Sequence, residues 1–112
     1  MDLAMRDRDL EQRLRADLTT RDGITETTMF GSLAFLLRGN LLACASHEGL
    51  LARLGRGNEG WALALPGVTT PMSGTRSMKG WVRLPPGLAA DPALRARVLD
   101  AATAFVASLP PK

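Results

Sequence analysis

The sequence predicts an α+β fold: one two-layer domain over residues 1–112, its mainly antiparallel sheet flanked by helices, in the order α-β(3-4)-α-β(2)-α. Three observations predict it. Residues 24–54, ITETTMFGSLAFLLRGNLLACASHEGLLARL, form four short runs of apolar and β-branched residues separated by turn residues. Apolar residues recur at helical spacing near both ends of the chain. Strands gathered in runs, with helices between the runs, favour antiparallel pairing under a helical layer.

Each element has its own local reason. Leu3, Leu10, Leu14 and Leu18 fall at helical spacing among charged residues, so an amphipathic helix is expected over 3–18, closed by a turn at Gly23. Strands are expected over 25–30, 33–38, 41–46 and 50–54. Gly31-Ser32, Arg38-Gly39-Asn40 and His47-Glu48-Gly49 make the turns, because these residue types suit turns or tolerate positive φ. Asn58 is expected to cap a short helix in which Trp61 and Leu65 share a face and which Pro66-Gly67 ends. Residues 68–72 suggest an edge strand, since Pro71 lacks an N–H for a ladder. A loop over 73–77 and a last strand over 78–84 follow. Asp91-Pro92 opens the final helix, with Leu94, Val98, Ala102, Phe105 and Leu109 as its buried stripe and Pro110-Pro111 at its end.

The second strand is apolar on both faces: Leu33, Phe35 and Leu37 point one way, Ala34 and Leu36 the other. So short a chain has helices enough for one face. A homodimer through the sheet or its edge is therefore expected to cover the second.

Composition excludes several classes. At 112 residues, 46% hydrophobic and 22% charged, the chain suits a single globular domain. No apolar run approaches the roughly 20 residues that span a bilayer, and the N-terminal stretch carries charges where a secretory signal needs apolar residues. A cytoplasmic protein without membrane association is expected. Cys44 is the only cysteine; it excludes an intramolecular disulfide and is expected to be a small core residue. The net charge of +3 is unevenly placed: between positions 38 and 83 only Glu48 and Glu59 oppose Arg38, Arg53, Arg56, Arg76, Lys79 and Arg83. No helix shows a basic face with base-reading side chains, so direct nucleic-acid binding is not expected.

Candidate chemistry is sparse. Residues 55–60, GRGNEG, match GxGxxG after a strand and before a helix, but no Asp or Glu lies between Glu59 and Asp91 to hold a ribose. A dinucleotide site is not expected. A lesser version, an anion held by Arg53, Arg56 and Gly57 at this loop, stays open. Ser46-His47-Glu48 has the residue types of a hydrolytic triad, but neighbours in sequence diverge in space. One histidine and one cysteine make no zinc site by themselves. No catalytic residue, metal ligand or cofactor is assigned. Lys79, Trp81 and Arg83 alternate with Gly80, Val82 and Leu84; with Val82 and Leu84 in the core, the Lys-Trp-Arg row turns outward as a candidate interaction surface, which Arg53 could join.

The segments MFGSLAFLLRGNLLACASHEGLLARLG and LPGVTTPMSGTRSMKGWVRLP, above all the MFG turn, Gly39-Asn40 and Met78-Lys79-Gly80-Trp81, resemble the N-terminal domain of the TfoX/Sxy family. With its flanking helices the likeness covers almost the whole chain. The resemblance implies a secretion-chaperone-like α+β fold and a regulatory role. Full-length members regulate natural competence and are linked to transcription activation with a cyclic-AMP receptor protein. They carry a second, C-terminal domain; here a stand-alone N-terminal domain is expected. The expected function is a non-enzymatic regulatory or protein-interaction domain with an unidentified partner protein. The alternative is a small-ligand or anion-binding protein using the loop at 55–60.

Overall fold

The computed structural model describes residues 6–29 and 31–112. The elements run α1 (Arg8–Leu18), β1 (Ile24–Met29), β2 (Ser32–Leu37), β3 (Asn40–Ser46), β4 (Gly49–Arg53), α2 (Gly60–Leu63), β5 (Met72–Ser73), β6 (Arg76–Ser77), β7 (Trp81–Leu84), α3 (Pro86–Ala89) and α4 (Pro92–Ala107). Five strands pair antiparallel in the order β1-β2-β3-β4-β7, while β5 and β6 form a separate small hairpin. The α+β expectation and the four consecutive strands over 24–54 hold. Leu3 and Phe30, expected in the first helix and the first strand, lie outside the described residues.

Helices cover one face of the sheet. Leu33, Phe35, Leu37, Ala43, Ala45, Leu50, Ala52, Val82 and Leu84 are buried on that side against Leu10, Leu14 and Leu18 of α1 and Val98, Leu99, Ala102 and Val106 of α4. Each fully buried Leu, Val or Phe contributes about 1.5–3 kcal/mol, so this interface dominates stability. The ladder between β2 and β3 slips after Phe35, leaving Leu42 as the extra residue of a bulge. Leu42 and Ala43 both join the core, and Leu41 turns to the far face. At the β2–β3 turn Arg38 and Gly39 both adopt positive φ, 51° and 85°, as a two-residue hairpin with right-handed strand twist requires.

Other expectations are corrected. Asn58 does not cap α2; its side-chain amide donates to the Leu54 carbonyl at 3.2 Å, and Glu59 takes the N-cap position of a helix only four residues long. Instead of a strand over 68–72 the chain makes one bridge, Thr69 to Arg83, at the edge beside β7. The expected loop at 73–77 is drawn into the β5–β6 hairpin around Gly74. The last strand starts at Trp81, not at 78, because Gly80 at φ 90° turns the chain. Helix α3 carried no strong pattern. On α4 the buried stripe is Arg95, Val98, Leu99, Ala102 and Val106, with Leu94, Phe105 and Leu109 half-buried. The helix is rolled because it must meet α1 and α3 as well as the sheet.

That roll buries a charge. Arg95, 6% exposed, donates from Nε to Asp17 Oδ2 at 2.5 Å and from Nη1 to the Ala89 carbonyl at 3.0 Å, joining α4 to α1 and α3. The far face of the sheet is partly covered by the chain's own β5–β6 hairpin, so the ground for a second copy there is narrower than the apolar pattern suggested.

Removing Asp17 strands the Arg95 guanidinium in a buried place. Fully buried pairs lose about 3–5 kcal/mol in this way. Asp17 is partly open to water, so Asp17→Ala is expected to lose about 2–3 kcal/mol in urea unfolding, whereas Arg15→Ala, which breaks the exposed pair with Glu26, is expected to leave the unfolding midpoint nearly unchanged.

Candidate functional site

A cleft of about 350 Å³ opens at the end of the sheet, lined by Arg53, Gly55, Arg56, Lys79, Gly80, Trp81 and Phe105. Its framework is a backbone junction. The Gly80 carbonyl accepts from the N–H groups of Leu54 at 2.8 Å and Gly55 at 2.9 Å, tying the end of β4 to the entry of β7. The Gly80 N–H donates to Glu59 Oε2 at 2.6 Å, and Glu59 Oε1 accepts from the Gly57 N–H at 2.8 Å. A Cβ at position 80 would stand 2.8 Å from the Arg56 nitrogen, and φ of 90° disfavours any L side chain, so only glycine closes this junction. Phe105 packs against the other wall, where a Cβ on Gly55 would lie 2.4 Å from its ring.

The cations sit on this framework. Arg53 is the cross-strand partner of Trp81, and its guanidinium carbon lies 5.7 Å from the centroids of both Trp81 and Phe105. That is within cation–π range, worth about 0.5–1 kcal/mol per ring at an exposed site. Arg56 and Lys79 are exposed at the rim. None of the three cations has an ion-pair partner among the described residues.

The structure thus unites parts of two sequence-predicted sets. Arg53 and Arg56, expected to hold an anion, meet Lys79 and Trp81, expected to form an interaction surface. Two members fall away. Gly57 has its N–H occupied by Glu59, so the loop's own carboxylate stands where an anion would have bound. Arg83 lies opposite Leu51, away from this cleft, 3.8 Å from Glu48. The row breaks at its other end too, because Lys79 precedes the strand and sits in the turn. Sequence reasoning missed Glu59, Gly80 and Phe105 as builders of the site. The Met78-Lys79-Gly80-Trp81 segment was one signal for Gly80; nothing local marked Phe105.

The cleft can hold a carboxylate or phosphate and stack a flat or apolar group on Trp81. The carboxylate beneath it, Glu59, is turned onto backbone donors and lies below its ordinary value of 4.5, because its own backbone N–H and those of Gly80 and Gly57 donate to it, with Arg56 nearby, against the opposing effect of burial. His47 and Cys44 lie elsewhere, and burial pushes the Cys44 thiol up to about 11, so it is a neutral thiol at pH 7. Ser46 Oγ accepts the Glu48 N–H at 3.2 Å, a turn contact with no triad geometry. Among the described residues no group of three or more His, Cys, Asp or Glu could hold a metal ion, and no helix is long and apolar enough to cross a membrane.

A carboxylate with a lowered folded pKa stabilises above its unfolded pKa and loses that contribution as pH falls through the folded value. Glu59→Gln is therefore expected to cost about 1–2 kcal/mol at pH 7, since the charge-assisted bonds from these backbone N–H groups are weakened. The gap between variant and parent should shrink as pH drops below 4.5, measured by urea unfolding across that range.

The model of the TfoX N-terminal domain family matches residues 16–106, a span that runs from α1 through the whole sheet and the cleft into α4. Neither the curated proteins nor the solved structures compared with the chain contain a match. With most of its length matched in this way, the chain belongs to the TfoX N-terminal domain family.

Proposed function

We propose that this domain is a non-enzymatic regulatory module that docks a partner protein at the Arg53, Arg56, Lys79 and Trp81 cleft, and that the partner presents an acidic segment. One observation carries the reading: three cations with no ion-pair partner among the described residues line one cleft with Trp81 and Phe105, and Arg53 lies over both rings. Arginine and tryptophan are enriched among the few residues that dominate binding at protein interfaces, and an arginine fork pairs with carboxylates bidentately. The family's regulators of competence and transcription support a partner of that kind. A second reading, a small anionic ligand in the same cleft, is favoured by its size, since pockets for small ligands begin at about 300 Å³.

Combined Lys79→Ala and Trp81→Ala are expected to weaken capture of the domain's partner at least about tenfold, as loss of hot-spot contacts does; unchanged capture rules the surface out. Thermal shift against nucleotides and phosphorylated metabolites separates the second reading: a rise in melting temperature that Arg56→Ala abolishes favours it, and a flat panel opposes it.

Self-association belongs to the same proposal. Thr25, Glu26, Thr27 and Thr28 are exposed along β1, whose outer edge pairs with no strand among the described residues. Sedimentation at micromolar concentration is expected to give the dimer mass, reduced to the monomer by Thr28→Pro, which removes an N–H from the outer edge and none from the β1–β2 ladder; a monomer for the parent chain refutes the edge contact.

A further inference from the structure

A second hollow, of about 430 Å³, lies between the far face of the sheet and the β5–β6 hairpin. Its floor is a cross-strand row, Cys44, Leu51 and Arg83 on β3, β4 and β7. The row is hollow because Cys44 is small and its next neighbour on β2 is Ala34. All three methionines among the described residues, Met29, Met72 and Met78, line it, and Met72 is their one exposed large hydrophobic residue, at 56%. Unbranched thioether side chains fit guests of varied shape, which is why binding surfaces that accept several ligands use them.

The hollow has one polar pole. Arg83 reaches it from the floor, 25% exposed, and makes no side-chain hydrogen bond among the described residues; Glu48, its neighbour at 3.8 Å, is beyond hydrogen-bond distance and 59% exposed. An exposed pair at that separation is worth about 0–1 kcal/mol, so a better-placed acceptor displaces it. Cys44 at the floor is a neutral thiol and supplies shape with no chemistry.

We propose that this hollow binds a small amphiphilic carboxylate, its carboxylate on the Arg83 guanidinium and its aliphatic body against Met29, Leu41, Leu51, Met72 and Met78. The guanidinium gains the bidentate acceptor it lacks, and the apolar walls gain cover that the two short strands of the hairpin leave incomplete. This site is separate from the Arg53 cleft and stands or falls independently of the docking reading.

The test uses the full chain with isotope-labelled methionine methyl groups and three probes, octanoate, octanol and acetate. Octanoate is expected to shift the methyl signals of Met29, Met72 and Met78 saturably. Octanol, matched in apolar body, should bind at least about tenfold more weakly for want of a charge-assisted hydrogen bond. Acetate, without the body, should leave the methyls unmoved. Arg83→Gln should erase the preference for octanoate over octanol while octanol still shifts the same methyls, which shows that the hollow persists. The proposal fails if octanoate moves none of the three methyls, if Arg83→Gln keeps the full preference, or if the Trp81 indole responds in their place. It fails equally if the Met72 and Met78 signals move with protein concentration alone, because a second copy then occupies the hollow.

Discussion

Everything functional in this domain depends on how β7 is brought back to β4. The two are separated by α2, an edge bridge and a small hairpin, and the junction that rejoins them is one residue wide. The Gly80 carbonyl collects two N–H groups from the end of β4 while its own N–H reaches Glu59. The register that follows sets Trp81 against Arg53 and Arg83 against Leu51. The first pair builds the cationic cleft and the second the pole of the methionine-lined hollow. Loosening the junction would disturb both sites at once without touching a cation or a methionine.

A net charge of +3 understates the electrostatic pattern. Four arginines in or beside the helical layer pair with carboxylates: Arg6 with Glu11, Arg15 with Glu26, Arg21 with Asp100 and Arg95 with Asp17. Glu11 is almost fully buried, and the hydrogen bond from Arg6 outweighs burial to lower its pKa. Arg95–Asp17 ties α4 to α1, and Arg15–Glu26 ties α1 to β1. At the Gly80 junction the local carboxylate, Glu59, is turned onto backbone N–H groups, and Arg53 lies against Trp81 and Phe105 with no ion-pair partner among the described residues. Folding thus converts a mild excess of positive charge into a local one, with low dielectric around Arg53 and water at the rim.

The two faces of the sheet divide the labour between stability and binding. On the helical face leucines and valines of α1 and α4 pack against the centre of the sheet, and the hollows on that side lie at the margins of α1. On the far face the residues opposite one another at the centre, Ala34 and Cys44, are small, and the covering hairpin has only two residues in each strand. A surface built of small floor residues beneath a short cover leaves space, and the methionines around it fill that space adaptably.

Much of the fold was legible in the chain because it is local. Turn chemistry at Arg38-Gly39 and His47-Glu48-Gly49, apolar runs of strand length between them, and the Asp91-Pro92 start of α4 are fixed by sterics and hydrogen bonding within a few residues. So is the core role of Val82 and Leu84, which alternation alone assigns. What tertiary structure decided are matters of relative placement: Arg53 beside Trp81, Arg83 away from Lys79, Glu59 folded onto Gly57 and Gly80, and Phe105 leaning over Gly55 instead of entering the core. Each depends on contacts between residues far apart in sequence or on a single positive-φ turn that shifts a strand's start. Periodicity records which face of an element is apolar, and it carries no information about which neighbour that face, or its opposite, will meet.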